Sequence, residues 1–474
     1  MTTMTLERSG PTLLDAPRGR AWREAFAGRA VTVVGLARSG VAACRLLQAV
    51  GARVIGTDAR SEDTLPPEAR ALRSEGVRLA VGGHPEEAFR SAELVVVSPG
   101  VPADHPMLAA CRARGVPVIG EVELAYRAMT AEFVAITGTN GKTTTTALTG
   151  ALFAESDRPV FVGGNIGRPL AAEALRFPAG GWVVAEVSSF QLETTDAFRP
   201  HVAAVLNVTP DHLDRHGSLA AYTDAKARIF RNQGGEDWAI LNADDPGAAS
   251  LAPRVRARLL WFSRREPVSE GAWIHDGWVT LRFGGVDRPV CPVGEIVLRG
   301  AHNLENVLAA TACAGAVGVA PDRLRTAIRA FRAVPHRIEW IRDRGGVAFY
   351  NDSKGTNVDA TLKALAAFEE PIVLIAGGRD KGQHFDALAD AARGRVKAAV
   401  LIGEGRATIG PALRRVARVE DADSMGEAVR RAAALASPGD VVLLSPACAS
   451  FDMFRDYEHR GAVFTEEVRA LPEP

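Results

Sequence analysis

The stretch Phe133-Val134-Ala135-Ile136-Thr137-Gly138-Thr139-Asn140-Gly141-Lys142-Thr143-Thr144-Thr145 decides the fold. Its apolar start reads as a buried strand, its glycine-bounded centre as a tight turn, and its lysine and threonines as the opening of a helix. Such a turn aims its own N–H groups and those of the first helical turn at one point, where the helix dipole favours an anion. The spacing therefore reads as a phosphate cradle, with Lys142 reaching the terminal phosphates of a nucleotide and the Thr143 hydroxyl ligating Mg²⁺. It is a variant cradle. The general P-loop pattern puts a glycine six residues before the lysine, and here Ile136 stands there.

Upstream, apolar strands at 31–35, 53–57, 94–98 and 116–119 alternate with helical stretches, which implies a parallel sheet covered on both faces. The first strand runs into Gly35-Leu36-Ala37-Arg38-Ser39-Gly40 and the second into Asp58. This is a passable dinucleotide fingerprint, weakened by Ala37 at the middle glycine position. Ser98-Pro99-Gly100 supplies a further turn at the carboxyl edge of the same sheet. Downstream, buried strands at 182–187, 202–207 and 238–242 continue the phosphate-binding sheet, and a more polar stretch at 273–298 reads as small antiparallel strands. A helix opens at His302, and Ala333-Val334-Pro335 reads as a hinge. Strands at 371–376, 398–402 and 441–445 then restart the rhythm. The expectation is three tandem α/β domains over 1–120, 121–333 and 334–474: Rossmann-like, a P-loop ATPase-type parallel sheet with a small antiparallel part, and Rossmann-like again.

Composition narrows the function. At 474 residues with 47% apolar content the chain has ample material for several cores, and its zero net charge gives no sign of a polyanion-binding face or a basic membrane patch. No stretch approaches an uninterrupted membrane span, and residues 1–30 lack an apolar leader core, so a cytoplasmic protein with no nucleic-acid partner and no membrane insertion is expected. The five cysteines are odd in number and form no C-x-x-C pair, so they read as small buried apolar residues. Of 56 basic residues other than histidine only six are lysines: Lys142, Lys226, Lys354, Lys363, Lys381 and Lys397. Where arginine serves nearly every cationic need, a retained lysine marks chemistry that a planar, permanently charged guanidinium cannot do. Lys363 and Lys397 read instead as ordinary surface.

Several polar groups fall just after strands, where open parallel sheets place their ligands. Glu186 precedes Ser188-Ser189 and suits a Mg²⁺ ligand opposite Thr143, because a carboxylate buried beside a sheet is costly without a cation. Asn207-Val208-Thr209-Pro210-Asp211-His212-Leu213-Asp214 concentrates metal-capable side chains at another strand end. Together with Gly163-Gly164-Asn165-Ile166-Gly167, Glu186-Val187-Ser188-Ser189-Phe190-Gln191-Leu192 and His302-Asn303-Leu304-Glu305-Asn306, these motifs resemble the Mur ligases of peptidoglycan synthesis. Pro335-His336-Arg337, Asn351-Asp352-Ser353-Lys354-Gly355-Thr356-Asn357 and Ser445-Pro446-Ala447-Cys448-Ala449-Ser450-Phe451-Asp452 narrow the resemblance to the branch that adds D-glutamate. It covers nearly the whole chain after about residue 30.

The resemblance implies ATP-driven amide formation. The carboxylate of UDP-N-acetylmuramoyl-L-alanine attacks the γ-phosphate of ATP, and the D-glutamate amine displaces phosphate from the resulting acyl phosphate. By matching positions, Gly138, Thr139, Asn140, Gly141, Lys142, Thr143 and Thr144 cradle ATP. Asn303, Asn306, Arg337, Asp352 and Lys354 complete its site. Thr143 and Glu186 hold one Mg²⁺, and His212 with a carbamylated Lys226 holds a second; Lys142, His212 and Lys226 are the catalytic set. Arg38, Ser39, Asp58, Gly100 and Asn165 match the side that receives the UDP-linked substrate, so the first nucleotide fold binds UDP rather than NAD. Thr356, Lys381 and Ser450 match D-glutamate-binding positions, with Tyr457 where the family often has phenylalanine. A monomer is expected, with another Mur-type or folylpolyglutamate-type amide ligase as the alternative; the Asp-Asn-Pro-Arg motif of the diamino-acid enzymes does not occur.

Overall fold

The computed structural model describes residues 13–102, 104–332, 334–380 and 382–473. They form two compact units, one of residues up to Cys291 with Asn306–Ile328, the other of Pro292–Glu305 with residues from Arg329 onward.

The first unit contains two sheets. The first holds β1 (Ala30–Val34), β2 (Arg53–Asp58), β3 (Arg78–Val81), β4 (Leu94–Val97) and β5 (Val118–Gly120), all parallel in the order 3-2-1-4-5. The order reverses at β1, so a crevice opens beyond the carboxyl ends of β1 and β4. The second holds β6 (Glu132–Thr137), β7 (Val160–Gly164), β8 (Trp182–Glu186), β9 (Val202–Val205), β10 (Trp238–Asn242), β11 (Arg258–Ser263), β12 (Gly271–His275), β13 (Trp278–Phe283) and β14 (Val286–Pro292). Its order is 14-13-12-11-10-9-6-8-7, with the pairs from β7 to β12 parallel and β12–β13 antiparallel. Here β6 lies between β8 and β9, and the phosphate turn leaves its carboxyl end.

One apolar cluster joins these sheets, running through Val33, Leu47, Ile119, Leu124, Phe133, Val183 and Val205. Phe133 meets Tyr126 and Phe198 edge-on at 5.4 and 5.7 Å. Such packing makes Phe133→Ala a change costing ~3–5 kcal/mol. Glu123, wholly buried, accepts hydrogen bonds from the backbone N–H groups of Asp196, Ala197 and Phe198 and fixes the helix Glu121–Ala128 to the chain beyond β8.

The second unit holds β15 (Glu339–Arg344), β16 (Val347–Asn351), β17 (Ile372–Gly377), β18 (Val396–Ile402), β19 (Arg418–Asp421) and β20 (Val441–Leu444) in the order 15-16-20-17-18-19. Only the β15–β16 pair is antiparallel. Cores on both faces bury β17 and β20 completely and β18 except for Lys397, as their apolar runs require. Insertion of β20 between β16 and β17 brings the loops after Asn351 and Leu444 side by side.

All five cysteines are buried and unbridged, as read from their number and spacing. No helix among the described residues is long and apolar enough to cross a membrane.

Candidate active site

The turn after β6 is built by glycine and by two hydrogen-bonded side chains. Gly141 caps the helix Lys142–Ala154 in the left-handed region (φ +82°), and a Cβ there would stand 2.4 Å from Asn306 Oδ1. Asn207 Oδ1 accepts from Asn140 N–H (2.8 Å), and Asn207 Nδ2 donates to Asn140 O (3.2 Å), so the loop after β9 braces the turn. Thr139 Oγ1 accepts from Thr209 N–H (3.1 Å) and lies 3.3 Å from the Tyr222 hydroxyl. Thr145 Oγ1 donates to Asn306 Oδ1 (3.0 Å), and Thr144 is buried beside it in the first helical turn.

Two lysines converge on this turn. Lys142 Nζ donates to the carbonyls of Gly138 (2.9 Å) and Thr139 (2.8 Å), and Lys226 Nζ donates to the same Gly138 carbonyl (2.8 Å). Lys226 is only 1% exposed, and its ammonium lies 4.4 Å from the Tyr222 ring centroid. Burial drives its pKa well below the ordinary lysine value, the Lys142 charge adds to the drop, and Asp211 opposes it. The side chain therefore tends toward a neutral, nucleophilic amine.

Glu186, at the end of β8 and also 1% exposed, accepts from the Thr143 hydroxyl (2.8 Å) through Oε2 and from Asn165 Nδ2 (2.7 Å) through Oε1. A buried carboxylate whose side-chain partners are both neutral fits a cation site. Among the described residues no group of three or more His, Cys, Asp or Glu side chains could hold a metal. One carboxylate and one hydroxyl could serve Mg²⁺, which fills its other positions with waters and phosphate oxygens. His212 sits in the left-handed region (φ +51°), half-exposed, with its ring 4.9 Å from Phe190 and 6.4 Å from Tyr222. Tyr222 thus neighbours both His212 and Lys226, and burial pushes its phenol up to about 12.

At the first sheet, Arg38, Ser39, Asp58 and Gly100 line a cavity of about 420 Å³ at the β1/β4 crevice, with Arg60, His84 and Ser98. Burial alone would raise the Asp58 pKa, but hydrogen bonds from the Arg60 side chain and from the N–H groups of Leu36 and Arg60 outweigh it and hold it at about 2. Asp58 thus shapes the wall between the first two strand ends. Arg215, three residues beyond His212, donates to the carbonyls of Pro99 (3.2 Å) and Val101 (3.4 Å) and pairs with Glu193 (2.8 Å). It ties the cavity's turn to the His212 loop.

In the second unit, Asp352 is buried and accepts from Ser445 Oγ (2.8 Å) and Ile338 N–H (3.3 Å). Burial pushes its carboxyl up to about 7 against the opposing effects of Ser445 and Arg337. Lys354 Nζ stands 3.6 Å over the Tyr457 ring, a cation–π contact between an expected nucleotide residue and an expected D-glutamate residue. Thr356 lies in the same loop, its N–H bonded to Lys354 O (2.8 Å), and Ser450 is buried in the loop after β20. Asn303 Nδ2 donates to Arg299 O (2.7 Å). Lys381 lies outside the described residues.

Sequence reasoning singled out neither Tyr222 nor Arg215 nor Arg460. The spacing of Tyr222 and Lys226, four apart in the helix Leu219–Ala227, was a usable signal for the first. Arg460, one arginine among many, gave none.

These features define a phosphate-binding α/β enzyme with a nucleotide fold on either side of its cradle in sequence. The chain belongs to the Mur ligase family, whose members are ATP-dependent amide ligases. The MurD-like N-terminal domain matches residues 29–120, the Mur ligase middle domain 136–314 and the Mur ligase glutamate ligase domain 336–448. It is 47% identical over 446 residues to the UDP-N-acetylmuramoylalanine--D-glutamate ligase of Koribacter versatilis, covering 94% of this chain and 98% of that one. To the enzyme of the same name from Pelotomaculum thermopropionicum it is 49% identical, again over 94% and 98%. Among solved structures it resembles the UDP-N-acetylmuramate-alanine ligase MurC of Thermotoga maritima (TM-score 0.60, 20% identity, 93% of this chain and 99% of that one). It also resembles the MurF ligase of the same organism (TM-score 0.57, 17% identity, 97% and 99%).

Proposed function

We propose that this chain joins D-glutamate to UDP-N-acetylmuramoyl-L-alanine at the expense of ATP. The observation that carries the reading is the convergence of Lys142 and the buried Lys226 on one carbonyl beside the Thr143–Glu186 pair. Attack of a carboxylate on a triphosphate brings two anions together, and fixed cations in a low-dielectric site lower that barrier most. Lys142 serves that charge directly. Lys226, whose amine burial biases toward the neutral form, adds to carbon dioxide: a C–N bond forms, the nitrogen gives one proton to solvent, and the neutral amine becomes an anionic oxygen ligand. Thr143 and Glu186 would hold one Mg²⁺, and His212 with the Lys226 carbamate a second; bound there, the ions neutralise charge on the phosphates.

The segments 1–120, 121–333 and 334–474 act, on this reading, as UDP-substrate, ATP and amino-acid domains of a cytoplasmic monomer. Arg38, Ser39, Gly100 and Asn165 receive the UDP-linked substrate, with Asp58 shaping its cavity. Asn303, Asn306, Arg337, Asp352 and Lys354 complete the ATP site, and Thr356, Lys381, Ser450 and Tyr457 hold D-glutamate. The relatives' 47–49% identity across nearly their whole length supports this choice of amino acid. The test is phosphate release from ATP with UDP-N-acetylmuramoyl-L-alanine and single amino acids. D-Glutamate alone should stimulate it; stimulation by L-alanine or a diamino acid in its place rejects the assignment.

A further inference from the structure

Arg460 is fully buried in the helix Tyr457–Ala470 and is the bulkiest charged side chain so enclosed. Its guanidinium donates from Nε to Ser353 Oγ (3.0 Å), from Nη2 to Ser353 O (2.7 Å) and from Nη1 to Cys448 O (3.0 Å). All three acceptors are neutral oxygens, and no carboxylate bonds to it among the described residues. An enclosed cation without a direct ion pair is expensive; three hydrogen bonds to neutral oxygens and the more distant charges of Asp452 and Asp352 offset part of that cost. The neighbouring backbone is shaped to admit it. Gly378 has φ +131°, and a Cβ there would stand 2.1 Å from Ala449 O and 3.2 Å from Arg460 Nη1.

The loops it joins leave two different strands. Ser353, after β16, lies between Asp352 and Lys354; Cys448, after β20, lies two residues before Ser450. Further bonds reinforce the same pairing: Ala447 N–H to Gly355 O (2.9 Å) and Ser445 Oγ to Asp352 Oδ2 (2.8 Å). Ala447 holds φ +58°, a conformation a residue with a Cβ adopts only where its surroundings impose it.

We propose that Arg460 is a positioning residue that sets the spacing between the Asp352–Lys354 loop and the Cys448–Ser450 loop, holding the amino-acid subsite in register with the nucleotide. The inference rests on the functional reading above. Lysine cannot reproduce three bonds in a planar fork, so Arg460→Lys and Arg460→Met both loosen that register. In steady-state phosphate release by the full chain, the KM values for D-glutamate and ATP should rise together by ~10-fold or more, the scale of one lost charge-assisted hydrogen bond. The KM for the UDP-linked substrate, whose proposed cavity lies in the other unit, should stay within about twofold, a shift too small to signify a lost hydrogen bond. Guanidinium ion at a non-denaturing concentration should partly restore Arg460→Ala. A lowered melting temperature with all three KM values unchanged would overturn the proposal, leaving a purely structural staple. If Arg460→Met does not fold, Arg460→Lys, which keeps the charge, decides. A wild-type chain that releases no phosphate with D-glutamate would remove the functional reading and this inference with it, whereas unaltered variants of an active wild type remove the inference alone.

Discussion

The turn after β6 and the paired loops after β16 and β20 both bury charge at the carboxyl edge of a parallel sheet, but they balance it differently. At the turn, two lysine amino groups share one carbonyl and a carboxylate meets only a hydroxyl and an amide. Those charges are held by weak neutral dipoles, so an incoming anion or cation can displace the fold's own contacts. At the loop pair, Arg460 is held by three oxygens from two loops, and Asp352 is bonded to a hydroxyl and a backbone N–H. That charge serves to hold backbone in place. One region is arranged to exchange partners during a reaction, the other to keep them.

The largest effect should come from the exchanging region. Lys226→Ala should lower turnover by ~10³-fold or more, the scale of removing a residue that acts as part of a catalytic unit. Short-chain carboxylic acids should partly restore it, and Lys226→Arg should stay inactive because a guanidinium takes up no carbon dioxide. Full activity in the alanine variant would erase the contrast between the regions. Next, Glu186→Gln, nearly isosteric, should cut kcat by ~10²-fold and raise the Mg²⁺ requirement with little change in melting temperature. A normal metal dependence would leave Glu186 with no part in holding the ion.

A pH series sharpens the comparison further. Burial raises the Asp352 carboxyl from 3.8 to about 7. The folded chain then binds more protons than the unfolded chain between those values, so stability falls as pH rises from about 4 to about 7. Asp352→Asn should flatten that fall, by an amount on the order of 2–4 kcal/mol, read by hydrogen exchange in the second unit. Glu121, buried and raised from 4.5 to about 7 with Oε2 unpartnered, should produce a parallel fall in the first unit. Identical pH dependence in the variant and the wild type would contradict the burial argument. The smallest effect belongs to Lys363, which pairs with Asp359 four residues away on an exposed helix face. Lys363→Ala should change stability by ~0.5 kcal/mol at most and leave turnover intact.

The exchanging region was legible in the sequence because most of it is contiguous or strand-terminal. The 133–145 stretch announces its strand, turn and helix, and Glu186 and His212 follow apolar runs that end where ligands bind. The scarcity of lysine sets Lys142, Lys226, Lys354 and Lys381 apart, and the family resemblance gives Lys226 its role. The loop pair was legible only as motifs. What joins them is Arg460, whose burial depends on Gly378 and on β20 entering between β16 and β17, a long-range pairing that no local pattern encodes. Edge strands escaped for a related reason. Glu339–Arg344 and Arg418–Asp421 carry charges that protect sheet edges and so lack the apolar runs by which inner strands were read. Val160–Gly164 ends in two glycines, which offer no apolar side chains to mark a strand; a Cβ on Gly164 would stand 2.5 Å from Glu186 O in the neighbouring strand.

The most direct test of the account follows the oxygen atoms of the substrate carboxylate. With UDP-N-acetylmuramoyl-L-alanine labelled with ¹⁸O in its alanyl carboxylate, ATP and D-glutamate, each amide formed should deliver one ¹⁸O atom to the released phosphate. Phosphate that carries no label while amide accumulates would show that the carboxylate never attacks the γ-phosphate, contradicting a site built to bring those two anions together.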